Sequence, residues 1–167
     1  MFATSDSLNQ LPIIMSIESD IQQASFRSPY HRMVVNVLYS GNWIGNTQMR
    51  VLKPYGITLQ QYNVLRILRG KSPEPVKVSE ITERMLDKMS NASRLVDKLV
   101  LKKYVERTEC PKDRRAVDVV ITQKGLDLLK KIDASQVQWE EDMQQRLTSE
   151  QADTLSQLLD QLRGSDE

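Results

Sequence analysis

The chain has 167 residues, 40% of them hydrophobic and 27% charged, with a formal net charge of +1, which is the profile of one ordinary soluble globular domain. No apolar run approaches the roughly 20 residues that cross a bilayer, and residues 1 to 14 lack the basic start and apolar core of an export signal, so an intracellular, cytoplasmic protein without a membrane role is expected. One cysteine, Cys110, and one histidine, His31, leave no material for a disulfide framework or a zinc cluster.

Residues 1 to 14 show no helical period. They are expected to belong to a leader, disordered in part, that extends to about residue 27, or to be a start-site artefact with Met15 as the second start. Residues 16 to 27 offer a short helix with Ile17, Ile21 and Ala24 on one side. Ser28 followed by Pro29 is a strong helix start, with serine as N-cap and proline at the first helical position. That helix is predicted to run to Lys53, where Pro54 stops it. Its apolar residues Met33, Val34, Val37, Leu38, Trp43, Ile44 and Leu52 are too widely spread for one core-facing stripe. A second buried side is implied, and in a small protein that is often a subunit interface.

Thr58-Leu59-Gln60-Gln61 is a capping box with Ile57 and Tyr62 as a hydrophobic staple, so a helix is predicted over 59–69, ending at Gly70. Lys71 to Val76, with two prolines, reads as a short connection. Ser79 is the expected N-cap of the next helix and Asp87 that of the longer one after it. In the longer helix Ala92, Leu95, Val96 and Leu99 share one face at core-facing spacing. Ser90, Asn91, Ser93, Arg94, Asp97 and Lys98 fall opposite. Such a face suits a DNA major groove: arginine can donate twice to guanine, asparagine can pair with adenine, and serine and lysine can hold phosphates.

Tyr104 to Arg107 and Val117 to Ile121 read as strands around a charged loop, residues 108–115, whose cations are Lys112, Arg114 and Arg115. Thr122 is expected to cap a long helix reaching Arg146, with Leu126, Leu129, Ile132, Trp139 and Met143 as its apolar positions. Thr148-Ser149-Glu150-Gln151 is a second capping box, opening a helix with a narrow seam of Leu155, Leu158, Leu159 and Leu162. Charge is unevenly divided. Between Arg84 and Lys124 there are eleven Lys and Arg against six Asp and Glu, a net of +5 that leaves −4 on the rest, as expected of a protein that turns one face to phosphate.

The order of short helix, turn, amphipathic helix, strand, charged loop and strand is that of a winged helix-turn-helix. KDRRAVDVVITQKG, residues 112–125, closely resembles the Asp-x-Arg wing signature, running into a Leu-Thr-x-x-Gly helix start, of the MarR family of bacterial transcriptional regulators. Arg94-Leu95-Val96-Asp97-Lys98-Leu99 resembles that family's recognition-helix core, at matching spacing. The resemblance covers roughly residues 29 to 163. It departs in the turn, where the family usually has a small residue, often glycine, and this chain has Leu86-Asp87-Lys88.

The resemblance implies a mainly α fold with a small β-hairpin wing: one domain over 28–163, a winged core at about 57–122, and N- and C-terminal dimerisation helices at about 29–53 and 123–163. It implies a homodimeric repressor reading a pseudo-palindromic operator in double-stranded DNA. Ser90, Asn91, Ser93, Arg94, Lys98, Lys112, Arg114 and Arg115 would contact DNA, with Arg114 at the wing tip in a minor groove. Asp97 would pair with Arg115 to couple helix to wing. A small aromatic or phenolic ligand would bind near Tyr39, Trp43 and Tyr62, for which core or interface packing is the plainer reading. No cofactor, metal or enzymatic activity is expected, since no HExxH motif and no glycine-rich phosphate loop occurs. Two alternatives stand beside this: a winged-helix module that binds protein and has lost DNA, and a thiol-redox regulator working through Cys110 with its pKa lowered by Lys112 and Arg114.

Overall fold

Helix boundaries follow capping chemistry along most of the chain. A computed structural model describes residues 16–110 and 113–164, and of residues 109, 110 and 113–116 it describes the backbone alone. The chain divides into two compact units between Asn46 and Thr47.

The first unit begins with α1 (Ile17–Asp20), a single turn and not a helix spanning 16–27. It stops early because Ile21 and Gln22 leave the helical region, Gln22 with a φ of 54°. Helix α2 (Pro29–Leu52) starts where serine and proline place it, with the Ser28 hydroxyl accepting the His31 N–H at 3.1 Å. Arg32 reaches back to Glu18 at 2.5 Å, and this hydrogen bond holds the Glu18 carboxyl down at about 2. Val34, Val37, Leu38, Tyr39, Trp43 and Ile44 are all more than a third exposed. The broad apolar content of α2 therefore lies at the surface of the single chain.

Helix α2 ends one residue before Lys53, and Pro54 is absorbed in a 3-10 turn, Lys53–Tyr55, closed by Gly56 at a φ of 65°. In the second unit α3 (Leu59–Arg69) has the predicted capping box, and Gln61 is buried because its side chain caps the Thr58 N–H. Then come β1 (Val76–Lys77), α4 (Val78–Arg84), α5 (Ala92–Leu101), β2 (Val105–Cys110), β3 (Asp113–Ile121), α6 (Gln123–Gln144) and α7 (Ser149–Arg163). The sheet is antiparallel in the order β1-β3-β2, with Val76 opposite Val119 and Val105 opposite Ile121. Strand β1 lies in the stretch read as a connection. It runs straight into α4, so Lys77 and not Ser79 is the N-cap, with no side-chain cap bond.

Val64, Leu65, Leu68, Ile81, Val96, Leu99, Val105, Val119, Leu129 and Ile132 form the centre of one core. Helix α6 enters it through its first three turns. Leu128, absent from the predicted apolar set, is buried beside Leu129 and Ile132; the helix stops at Gln144, two residues short of Arg146. Trp139 is half-buried. Helix α7 has its predicted capping box but buries no residue, and Leu155, Leu158 and Leu162 are about half exposed. No helix among the described residues is long and apolar enough to cross a membrane.

The junction of sheet and α6 is the tightest point. Thr122 donates its hydroxyl to the Lys103 carbonyl and accepts the Gly125 N–H, which presses the first turn of α6 onto the end of α5. A Cβ on Gly125 would lie 2.4 Å from the Tyr104 carbonyl oxygen and 2.8 Å from Ile121 Cγ1. Backbone cannot yield as a side-chain tip can. Gly125→Ala should therefore lower stability by about 1–3 kcal/mol, the usual cost of overpacking, measurable by urea unfolding. A variant as stable as the parent would mean that α6 docks less rigidly than this geometry requires.

Candidate nucleic-acid interface

Helix α5 is divided lengthwise by burial. Ala92, Val96 and Leu99 are buried and Leu95 is half-buried, the stripe its periodicity predicts. Ser93, Arg94, Asp97 and Lys98 are exposed. Among the described residues no carboxylate lies within ion-pair distance of Arg94 or Lys98. Two cations on one helix face thus have no ion-pair partner among the described residues.

The approach to α5 departs from expectation. Asp87 is not the N-cap; the helix starts four residues later than a cap there would place it, and Asn91 caps it, its Oδ1 accepting the Arg94 N–H at 3.0 Å. Asn91 is therefore tied to the helix backbone by its oxygen, and its amide NH₂ keeps its donors. Asp87 serves the turn instead. Its Oδ1 accepts the Met89 N–H at 3.0 Å and its Oδ2 the Ser90 hydroxyl at 2.9 Å, and these bonds, the serine's first, hold its carboxyl below the ordinary range. Asn63 of α3 accepts the Leu86 N–H at 2.9 Å. A turn without glycine is thus fixed by side-chain hydrogen bonds, as aspartate and asparagine commonly do. Ser90, held by Asp87, is half-buried.

Further along the exposed face of α5, Asp97 pairs with Arg107 of β2 at 2.6 Å. The predicted partner, Arg115, has a side chain outside the described residues, as do Arg114 and Cys110; Lys112 lies outside them altogether. Their backbones correct one expectation: most of residues 108–115 is not loop, because β2 continues to Cys110 and β3 begins at Asp113. Arg114 and Arg115 are strand residues, and Cys110 ends β2. Register slips between Glu109 and Cys110, a bulge of the kind that re-aims a strand end.

Other cations in the segment have structural employment. Lys102 Nζ donates to the Gly56 carbonyl, Lys88 Nζ to that of Glu83, and Lys124 Nζ to that of Lys102 while lying 4.9 Å from the Tyr104 ring centroid. Sequence reasoning had no signal for these carbonyl partners. Of the aromatic trio, Tyr39 and Trp43 belong to the first unit, and Tyr62 is buried in the second, its hydroxyl accepting from Arg66 at 2.9 Å.

The profile of the MarR family matches residues 55–116, from the turn before α3 into the wing. The transcriptional regulator TcaR of Staphylococcus aureus is 32% identical over 108 residues, 64% of this chain and 70% of its own. The chain belongs to the MarR family. The transcriptional repressor MdtR of Bacillus subtilis is 39% identical over 74 residues, 44% of this chain and 46% of its own, and the chain spans about half the length of several such curated relatives. An Escherichia coli MarR mutant solved in complex with operator DNA superposes with a TM-score of 0.65 at 24% identity, covering 81% of this chain and 99% of that one. At that identity the likeness is one of fold, and it extends the winged-helix assignment beyond the stretch matched by the profile.

The cap assignment separates two neighbouring side chains. Asn91→Ala should lower stability by about 1 kcal/mol, the typical cost of losing an N-cap, and Asn91→Asp should largely restore it. Thermal melts of the two variants check this. Equal stability of Asn91→Ala and the parent would return the capping role to another residue.

Proposed function

We propose that this MarR-family chain is a homodimeric, sequence-specific DNA-binding transcriptional regulator, a repressor that meets its pseudo-palindromic operator in the cytoplasm. The observation that carries the proposal is the Arg94 and Lys98 pair on the solvent face of α5, which has no ion-pair partner among the described residues. A helix with its apolar stripe buried and such cations turned outward fits the role of a reading head. Arg94 is assigned to a base edge, Lys98, Ser90 and Ser93 to phosphates, and Asn91 to an acceptor through its free amide hydrogens. Lys112, Arg114 and Arg115 are assigned to the wing contact, because the segment's positive charge continues through them. The operator complex of the E. coli relative supports the DNA assignment, and the naming of MdtR as a repressor supports the sign of regulation. Neither catalysis nor a cofactor is part of this role.

Dimerisation is assigned to the terminal helices. The leucine seam of α7 and the apolar face of α2 are exposed in the single chain, and burying such faces in a twofold contact removes apolar area from water. The domain is taken as 28–163, with a small aromatic ligand as the effector and Tyr39 and Trp43 as its candidate contacts.

Two experiments test this reading. Duplexes enriched by the purified protein from a random pool should yield a pseudo-palindrome, and Arg94→Ala should weaken that site by about 1–3 kcal/mol per half-site, more than it weakens random DNA. Equal loss on both would reassign Arg94 to phosphate, and no enrichment at all would leave a protein-binding winged helix. Separately, Leu158→Asp should dissociate the dimer in sedimentation and weaken DNA binding with it, because burying an unpaired carboxylate in an apolar seam costs on the order of several kcal/mol. A tight monomer in the unmodified protein would overturn the dimer.

A further inference from the structure

The turn before α5 holds two of the most exposed apolar side chains in the chain, Leu86 at 85% and Met89 at 93%. Single exposed apolar residues are ordinary on protein surfaces. What sets these apart is how rigidly their backbone is held. The Leu86 N–H is bound by Asn63, the Met89 N–H and Ser90 hydroxyl by the two oxygens of Asp87, and the Ser90 N–H by the Asp87 carbonyl. Four bonds across five residues display side chains that touch little of their own protein.

The surroundings decide what such side chains meet. In the chain around them Glu83, Arg84, Asp87, Lys88, Asn91, Ser93, Arg94 and Lys98 are all exposed. A protein–protein interface also sets an apolar centre in a polar rim, but two side chains are a small centre beside the roughly 800 Å² per partner that a stable interface buries. This polar frame matches a DNA major groove, which offers hydrogen-bonding edges and phosphates together with one apolar group, the C5-methyl of thymine. Met89 stands two residues before the Asn91 cap, at the α5 end of the turn, whereas Leu86 stands at the α4 end. The thioether is unbranched and polarizable, and it fits an irregular apolar contact better than a stiff side chain would.

We infer that Met89 is a specificity-determining residue that packs on a thymine methyl in each operator half-site, adding an apolar readout to the polar one of α5. The inference rests on the DNA-binding reading above, and its test separates the two. The duplex recovered from the random pool is compared with copies in which each thymine in turn is replaced by deoxyuridine, which removes the methyl and nothing else. At one position per half-site the unmodified protein should lose about fourfold in affinity, the worth of one buried carbon group. Met89→Ala should bind thymine and uracil duplexes alike at that position, with an unchanged melting temperature, and Met89→Leu should restore the preference. Leu86→Ala should discriminate as the parent does. If the parent binds its duplex but is indifferent to uracil at every position, the methyl contact falls and the DNA-binding reading stands. If Met89→Ala keeps the preference, or Leu86→Ala loses it, the contact belongs to another residue. A protein that enriches no duplex would remove both.

Discussion

Everything proposed for this chain depends on α5 being held by one half of its circumference only. Val96 and Leu99 are fully buried, and Ala92 nearly so, against the core built by α3, the sheet and α6. Burying side chains of that size contributes on the order of 1.5–3 kcal/mol for each larger one, enough to fix the rotation of a ten-residue helix that could not persist alone. Once rotation is fixed, the direction in which Arg94 and Lys98 point is fixed with it. The ends of the helix are set separately, by the Asn91 cap at the start and by Asp97 reaching Arg107 partway along. That last pair is exposed and contributes little to stability. Its effect is geometric, tying the wing strand β2 to the reading helix so that the two would approach a duplex together.

The distribution of cations supports the same division of labour. Between Arg84 and Lys124 the net charge is +5, but its members are not equivalent. Lys88, Lys102 and Lys124 cap backbone carbonyls, and Arg107 is paired with Asp97. These four are engaged within the second unit while still contributing to the long-range field. Arg94 and Lys98 are held by no carboxylate among the described residues, so none of these competes with an anion for them. That difference favours Arg94 and Lys98 as the proposed contacts, the first to a base edge and the second to phosphate, with the others supplying steering that salt would screen.

Capping chemistry made the fold legible. Ser28, the two capping boxes at Thr58 and Thr148, and Thr122 each start a helix where their side chains allow, because the interaction is local to four residues. The misses have a shared cause: the deciding partner is distant in sequence. Strand β1 is two residues long and exists because Val76 meets Val119. Asp87 resembles an N-cap in sequence, yet the Leu86 N–H is claimed by Asn63 from α3, which holds the chain in a turn until Asn91. The charged wing residues look like loop by composition, and the ladder between Val105–Cys110 and Asp113–Ile121 extends through them regardless. Among candidate contact residues, the α5 face was legible because helical periodicity alone determines it. Met89 was not, since nothing local says whether an apolar residue in a turn is buried.

Helix α6 shows how stiffness grades along a single element. Its first half is locked by packing, with Gly125 against the Tyr104 backbone and Leu128, Leu129 and Ile132 in the core. Displacing it would open cavities, at a cost of 2–5 kcal/mol for a leucine-sized void by the usual order of magnitude. The next turn is held differently. Asp133 is shared by Arg66 and Arg69, the Tyr55 hydroxyl meets Ser135 Oγ at 2.5 Å, and Gln136 donates to Gln48 at 2.9 Å. These are half-exposed polar contacts that water can replace, each worth about 1 kcal/mol or less. A shear along α6 is therefore resisted strongly up to Ile132 and weakly beyond it. An effector that shifted the far end of α6 would do so by exchanging these polar partners, while the core that orients α5 stayed intact.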